Sequence, residues 1–292
     1  MIIIKKYLIS IIYTVFIIFF TIFIILDTFV IKQSYQIVKN ETTENTSSGT
    51  ITKDDNSYKD DNIEINLKEY RQNDTTIYVA DIVLKDQNYL KTAFAESTYG
   101  KNITENTSDI AKEVNAILAI NGDYYGVQKS GYVLKNGTIY RNTSAGNEDL
   151  VIYKNGTFEI INENDVTAEE LLEKGAYNIL SFGPALITNN KIVVSENDEV
   201  AKAMNSNPRT AIGKISDNHY VFVVSDGRTT SSEGLTLYQL ASFMQTLNCQ
   251  TAYNLDGGGS STMYFNGNIV NNPTTNGKVN ERSVSDIVYI GY

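Results

Sequence analysis

Residues 253–263 read Tyr-Asn-Leu-Asp-Gly-Gly-Gly-Ser-Ser-Thr-Met, and no packing requirement visible in the sequence asks for three consecutive glycines there. A β-prone run, 251–255, precedes the glycines and a second, 262–265, follows, so they form a sharp strand-to-strand connection. Glycine permits positive φ and lets a ligand approach backbone N–H groups, which can make a concave nest for an anion. Asp256 stands at the mouth of the turn, and the hydroxyls of Ser260 and Ser261 add polar chemistry. The competing reading is a tight turn with a carboxylate cap.

Outward from this turn the chain reads mainly as β. Strand composition recurs at 77–84, 132–134, 151–153, 158–161, 191–194 and 285–290, and Asn136-Gly137, Asn155-Gly156 and Asn266-Gly267 each lie between such runs. An Asn-Gly pair between apolar runs is a strong hairpin signal, so many antiparallel pairs are expected. Helices are expected at 107–117, 167–173 and 236–247. In the last, Thr236 and Gln239 have capping-box spacing, and Leu240, Phe243, Met244 and Leu247 form one apolar face. The expected class is α+β: a mixed, mainly antiparallel sheet domain with a few helices, preceded by an N-terminal transmembrane helix.

That helix is the uncharged stretch 7–26, rich in isoleucine and phenylalanine. Twenty helical residues span about 30 Å, the thickness of a bilayer's hydrocarbon core. No small-residue cleavage site follows at Asp27-Thr28-Phe29, so an uncleaved anchor is expected. Lys5 and Lys6 before it place the N-terminus in the cytoplasm and the rest outside a plasma membrane crossed once. Residues 39–62 are rich in Asn, Thr, Ser, Asp and Lys and poor in apolar side chains, a composition that cannot order itself. The expected division is 1–32 anchor with a short cytoplasmic stub, 33–62 disordered stalk, and 63–292 globular domain.

Composition narrows the chemistry. The lone Cys249 excludes an internal disulfide, and it reads as a small core residue. A formal net charge of −10 argues against nucleic acid as partner. The one histidine, His219, rules out a histidine-rich metal site and sits at the start of a strand-like run, away from any nucleophile elbow. Arginine is scarce, five against nineteen lysines, yet Arg209, Arg228 and Arg282 all lie in the last third beside glycine-rich or carboxylate-bearing loops. A planar fork suits bidentate contact with phosphate or carboxylate, with a surface salt bridge the plain alternative for each.

The ordered set Asn-Gly-Asp-Tyr-Tyr (121–125), Ser-Phe-Gly-Pro-Ala-Leu (181–186), Pro-Arg-Thr-Ala-Ile-Gly (208–213), Ser-Asp-Gly-Arg (225–228), Asn-Leu-Asp-Gly-Gly-Gly-Ser-Ser-Thr-Met (254–263) and Glu-Arg-Ser-Val-Ser-Asp (281–286) resembles the phosphodiester glycosidase family. The resemblance covers roughly 115–292. Two positions depart from it: Asp123 stands where members often carry glycine, and Ser283 where they often carry proline. The resemblance implies hydrolysis of a sugar-1-phosphodiester in a surface glycan, exopolysaccharide included. Such a reaction expels a phosphate monoester, a better leaving group than a sugar alkoxide, so anchoring the leaving group matters more than protonating it. Asp256, Asp226 and Glu281 are the candidate catalytic carboxylates. Asn121, Asp123, Arg209, Thr210, Arg228, Gly257, Gly258, Gly259, Ser260, Ser261 and Arg282 are the candidates for binding substrate and phosphate. No cofactor is required by the sequence. Two other classes stay open. One is a metal-assisted phosphodiesterase using Asp123, Asp226 and Asp256 as oxygen ligands for a divalent cation; the other is a non-catalytic binder of anionic polysaccharide.

Overall fold

Tyr220-Val221-Phe222-Val223-Val224 is buried at every position, and the alternation of a strand explains how. Phe222 and Val224 point into one apolar cluster with Ile65, Ile82, Ile120 and Val288. Val221 and Val223 point the other way, into a second cluster with Leu240, Phe243 and Met244. A strand covered on both faces carries apolar residues throughout.

The computed structural model describes residues 2–38, 49–197 and 206–292. The strand above lies in a nine-stranded sheet running 191–192, 185–188, 251–254, 209–216, 219–225, 75–84, 63–72, 57–59, 52–53. Facing it is a five-stranded sheet, 268–269, 263–265, 118–121, 286–290, 90–94. The main core fills the space between the two sheets. Among the described residues there are four α-helices: α1 (Ile2–Phe29), α2 (Thr107–Glu113), α3 (Ala168–Glu173) and α4 (Leu237–Thr246). Helix α4 covers the outer face of the larger sheet, and α2 covers the smaller with Ile110, Ala111 and Val114 against Ala119, Ile287 and Tyr289. The domain is thus an α-β-β-α stack of the α+β class, with a three-stranded sheet, 158–162, 148–153 and 176–180, beside it.

Local chemistry accounts for the ends of these elements. Thr236 and Gln239 form a capping box on α4, and Thr167 and Glu170 another on α3. Helix α2 stops at Glu113, short of the expected 117, because Asn115 turns left-handed at φ +52°. Asn136-Gly137 and Asn266-Gly267 make two-residue hairpins with both residues at positive φ, whereas at Asn155-Gly156 only the glycine is so. His219 begins its strand with Nε2 2.7 Å from Asp81 Oδ1 on the neighbouring one. Cys249 is buried and free.

Within the segment 33–62, expected as a disordered stalk, several described residues form strands. Gln33–Ile37 pairs antiparallel with Thr98–Lys101, and Thr52–Lys53 and Ser57–Lys59 extend the nine-stranded sheet. Residues 39–48 of the expected stalk lie outside the described residues. Backbone hydrogen bonding to an existing sheet edge orders a polar strand that no apolar pattern would announce. Asp60 completes the attachment by accepting from Tyr58 Oη (2.8 Å), from the amides of Asn62 and Ile63 (2.8 Å each), and from Tyr292 Oη.

Asp60 sets a test of this attachment. Burial pushes its carboxyl up, but the bonds from Tyr292, Asn62, Tyr58 and Ile63 together hold it below the ordinary value. Its contribution is therefore present above the unfolded value and lost as pH falls through the folded one. Asp60→Ala is expected to cost about 1–3 kcal/mol at neutral pH by stranding these donors, several degrees of Tm, with the gap to wild type closing in acid. Thermal melts at neutral and acidic pH check it.

Candidate active site

Antiparallel register brings the motif residues to one rim of the two sheets. Arg209 pairs with Ser225, and Ala211 with Asn254, so Arg209, Asp226 and Asp256 leave the larger sheet at the same end. Ile120 pairs with Met263, and Asn121 with Ile287, so Asn121, Asp123 and Asp286 gather at one end of the smaller sheet. The glycine turn is the crossing from Thr251–Asn254 in one sheet to Met263–Phe265 in the other.

Asn121 holds that crossing in place. Its Nδ2 donates to the carbonyl of Asp256 (2.6 Å), while its Oδ1 accepts from Thr210 Oγ1 (2.8 Å) and the amide of Thr262 (3.3 Å). The amide of Asp256 in turn donates to the carbonyl of Gly122. Asn121 and Thr210 are fully buried, so they build the site and do not face a substrate.

The three glycines do answer a packing demand, one that only the folded chain reveals. A Cβ on Gly257 would meet the carbonyl oxygen of Pro208 at 2.9 Å, one on Gly258 the Nη2 of Arg228 at 2.8 Å, and one on Gly259 the Oγ1 of Thr275 at 2.5 Å and Cβ of Arg282 at 3.3 Å. Of the three only Gly258 has positive φ. The expected anion nest is largely consumed within the loop: the amides of Gly258, Ser260 and Ser261 donate to the carbonyls of Pro208, Gly257 and Gly258. Ser261 is fully buried as well.

A cleft of about 220 Å³ opens beside the loop, lined by Asp123, Tyr124, Asp256, Ser260, Arg282 and Ser285 among others. Within it Arg282 Nη2 donates to both carboxylate oxygens of Asp256 (3.2 and 3.0 Å) and to the carbonyl of Gly257 (3.0 Å). Ser260 Oγ donates to Asp256 Oδ2 (2.6 Å) and accepts from Arg282 Nε (2.8 Å). Burial pushes the Asp256 carboxyl above its ordinary value, against the opposing pull of Arg282 and Ser260. The Arg282 side chain is 45% exposed and that of Asp256 12%. The guanidinium therefore keeps an open face for an anion entering the cleft.

The other candidates have partners of their own. The Asp123 carboxylate is fully buried and bonded to Lys135 (2.9 Å) and the amides of Tyr125 and Ser181. Lys135 also reaches Asp286 at 2.7 Å. Asp226, expected as a catalytic carboxylate, accepts from the Asn272 amide (2.8 Å), Asn272 Nδ2 (3.0 Å) and Asn271 Nδ2 (3.3 Å), and so fastens the 271–272 loop. Arg209 is buried with Nε on the carbonyl of Leu235 (2.8 Å); burial and the nearby charge of Arg228 bring it down to about 10. Arg228 lies over Gly258 and donates to Asn207 Oδ1. Of the three arginines, Arg282 lines the cleft. Glu281, expected as a catalytic carboxylate, lies at the start of α2. It accepts from the amide (3.0 Å) and Oγ (2.6 Å) of Ser108, capping α2 with negative charge at the helix N-terminus.

Lys135 and Asp286 were missed by sequence reasoning. Lys135 belongs to a Lys-Asn-Gly-Thr hairpin repeated at 154–157, where it reads as turn chemistry, and nothing local tells the two lysines apart. Asp286 ends the 281–286 motif, and that was its one signal. Among the described residues no group of three or more His, Cys, Asp or Glu is arranged to hold a metal ion.

Comparison with known proteins bears on the family and the fold. The family described as phosphodiester glycosidase matches residues 114–291. The SPbeta prophage-derived protein YomE of Bacillus subtilis (strain 168) is 32% identical over 204 residues, 67% of this chain and 31% of its own. The N-acetylglucosamine-1-phosphodiester alpha-N-acetylglucosaminidase of Mus musculus is 27% identical over 205 residues, 62% of this chain and 39% of its own. This chain therefore spans less than half the length of these two relatives. The catalytic domain of the zebrafish enzyme of the same name, solved auto-inhibited by its pro-peptide, shares the fold with a TM-score of 0.63 at 20% identity over 90% of this chain and 88% of that one. The chain belongs to the phosphodiester glycosidase family, a family of hydrolases.

Glu281→Ala separates capping from catalysis. Loss of the cap is expected to cost about 1 kcal/mol, a few degrees of Tm, while kcat/KM stays within about twofold of wild type. A drop in kcat/KM of a hundredfold in the folded variant would return Glu281 to the chemistry.

Proposed function

We propose that this phosphodiester glycosidase hydrolyses the bond between the anomeric carbon and the phosphate of a sugar-1-phosphodiester in a surface glycan, with Asp256 as its working carboxylate. The observation that carries this reading is the clamp of Arg282 and Ser260 on Asp256 at the wall of the cleft. Arg282 would hold the phosphate, its attraction growing as charge develops on the departing oxygen. Asp256 would oppose the positive charge building at the anomeric carbon, attacking it or activating water. A departing phosphate monoester needs little protonation, which suits a cleft with no histidine in its lining.

Helix α1 supports a tethered enzyme. Its stretch Tyr7–Phe29 is long and apolar enough to cross a membrane, and its apolar window is not buried within the chain. We infer a single crossing of the plasma membrane, with Lys5 and Lys6 on the cytoplasmic side and the domain outside.

The metal-assisted alternative needs Asp123, Asp226 and Asp256 to share one ion. Asp123 is instead neutralised by Lys135, and Asp226 is engaged by Asn271 and Asn272. Hydrolysis in ¹⁸O-labelled water separates the two chemistries: label in the sugar is expected, and label in the phosphate would mean P–O cleavage.

Asp256→Asn keeps the shape and removes the charge, so kcat/KM on an activated sugar-1-phosphodiester is expected to fall at least about a thousandfold without loss of folding. Arg282→Lys keeps the charge but not the fork, and about ten- to hundredfold is expected. Because Asp256 acts ionised and burial raises its carboxyl, wild-type kcat/KM is expected to fall in acid through a limb above the ordinary aspartate value near 4. A limb at or below that value would remove Asp256 from the rate.

A further inference from the structure

One side chain joins the membrane helix to the cleft. Asn102 lines the cleft, and its Nδ2 donates to the carbonyls of Thr28 (3.2 Å) and Ile31 (3.0 Å), with that of Asp27 at 3.4 Å. Beside it Lys101 Nζ donates to the carbonyl of Asp27 (2.7 Å) and lies 3.6 Å from its carboxylate. The last carbonyls of a helix have no partner within it and carry the negative end of its dipole. Here the domain satisfies them, with a cation at the correct pole.

The chain that follows leaves no slack. Gln33–Ile37 joins Thr98–Lys101 by antiparallel pairing, and Gln33 approaches so closely that a Cβ on Gly100 would meet its carbonyl oxygen at 2.2 Å. Phe29, the final residue of α1, itself lines the cleft with Asp256 and Arg282. If residues 7–26 fill the hydrocarbon core, Phe29 lies about 5 Å further along the axis, at the level of the headgroups. Phe29, Val30, Tyr35, Ile37 and Tyr124 are all exposed, as apolar and aromatic side chains at a bilayer interface are.

We propose that the substrate is a sugar-1-phosphodiester whose second ester is a membrane lipid: a glycosyl-phosphoryl lipid whose phosphate lies at the bilayer surface where the cleft opens. This rests on the glycosidase reading above and names its substrate class. In the reaction the C1–O bond breaks and its electron pair stays on the phosphate oxygen. Water supplies the hydroxyl to C1, and its proton goes to the lipid phosphate or to solvent. The products are a free sugar and a lipid phosphate monoester that remains in the membrane. A helix held rigidly at the mouth of the cleft keeps the site at one depth and gives lipid-borne substrate a high effective concentration.

The test uses the full chain in proteoliposomes with two probes, the ethyl and a long-chain prenyl ester of N-acetylglucosamine 1-phosphate. A flexible Gly/Ser insertion of about ten residues between Leu26 and Asp27 frees the helix while leaving the contacts of 27–37 with 98–102 in place. It is expected to lower prenyl-ester turnover about tenfold and to leave ethyl-ester turnover unchanged. Equal prenyl turnover with and without the insertion would overturn the proposal, as would ethyl turnover with none on the prenyl ester. Depth is read independently by labelling Ser283→Cys at the cleft, Cys249 being buried, and measuring quenching by headgroup nitroxide lipids. Strong quenching lost on insertion is expected, and no quenching in the intact chain overturns the placement. Quenching without turnover of either ester would sink the glycosidase reading, and this substrate class with it, but leave the docked geometry standing.

Discussion

The site depends on one crossing of the chain between two sheets, and on the asparagine that fixes it. A chain leaving one sheet for the other exposes backbone groups that neither ladder can satisfy, and burying them unpaired would cost as much as lost hydrogen bonds. Asn121 supplies both a donor and an acceptor at that point, joining Asp256, Thr210 and Thr262. Its amide does what no apolar side chain of the same size could do. The carboxylate of Asp256 is therefore aimed by backbone that is tied on both sides, which is the preorganisation that electrostatic catalysis requires.

Behind the cleft the same rim carries a second constraint, three buried charges in a row. Lys135 sits between Asp123 and Asp286 with all three side chains almost fully covered. Burial alone pushes Lys135 down, and the two aspartates more than reverse it, so its ammonium is held above the ordinary value. Asp286 is pushed by burial, and by Asp123, up to about 7, with Lys135 pulling the other way. Removing the lysine would leave two desolvated carboxylates facing each other, the kind of loss that outweighs any gain from the pairing itself. Further along, burial raises Asp149 to about 9 next to Glu163. Asp123 is thus held by Lys135, whereas Asp256 meets a partly exposed arginine in the cleft.

That division of labour suits a leaving group that carries its own charge. On the proposed reading a phosphate ester departs without much help from an acid, so the arginine would hold it and the carboxylate would oppose the positive sugar. His219 is paired with Asp81 on the neighbouring strand and takes no part in the lining. Helix α1 adds position to chemistry by ending at the mouth of the cleft, with its last carbonyls bonded to residues beside it.

Much of this was legible in the sequence because it depends on neighbours in the chain. The strand runs, two of the Asn-Gly hairpins, the capping box at Thr236, the spanning length of 7–26 and the Asp-Gly-Gly-Gly crossing all follow from local periodicity and turn chemistry. The motif set named the family for the same reason. What the tertiary structure alone decided is which charges meet. Glu281 found the start of α2, Asp226 found Asn271 and Asn272, and Lys135, alike in sequence to Lys154, found two buried aspartates. Each glycine at 257–259 proved to make room for a neighbour from a distant strand or loop. The polar segment around Ser57 became a strand because an open sheet edge awaited it. Composition and periodicity record how a residue prefers to fold with its neighbours; which side chains meet across the fold is set by register between strands, which no local window contains.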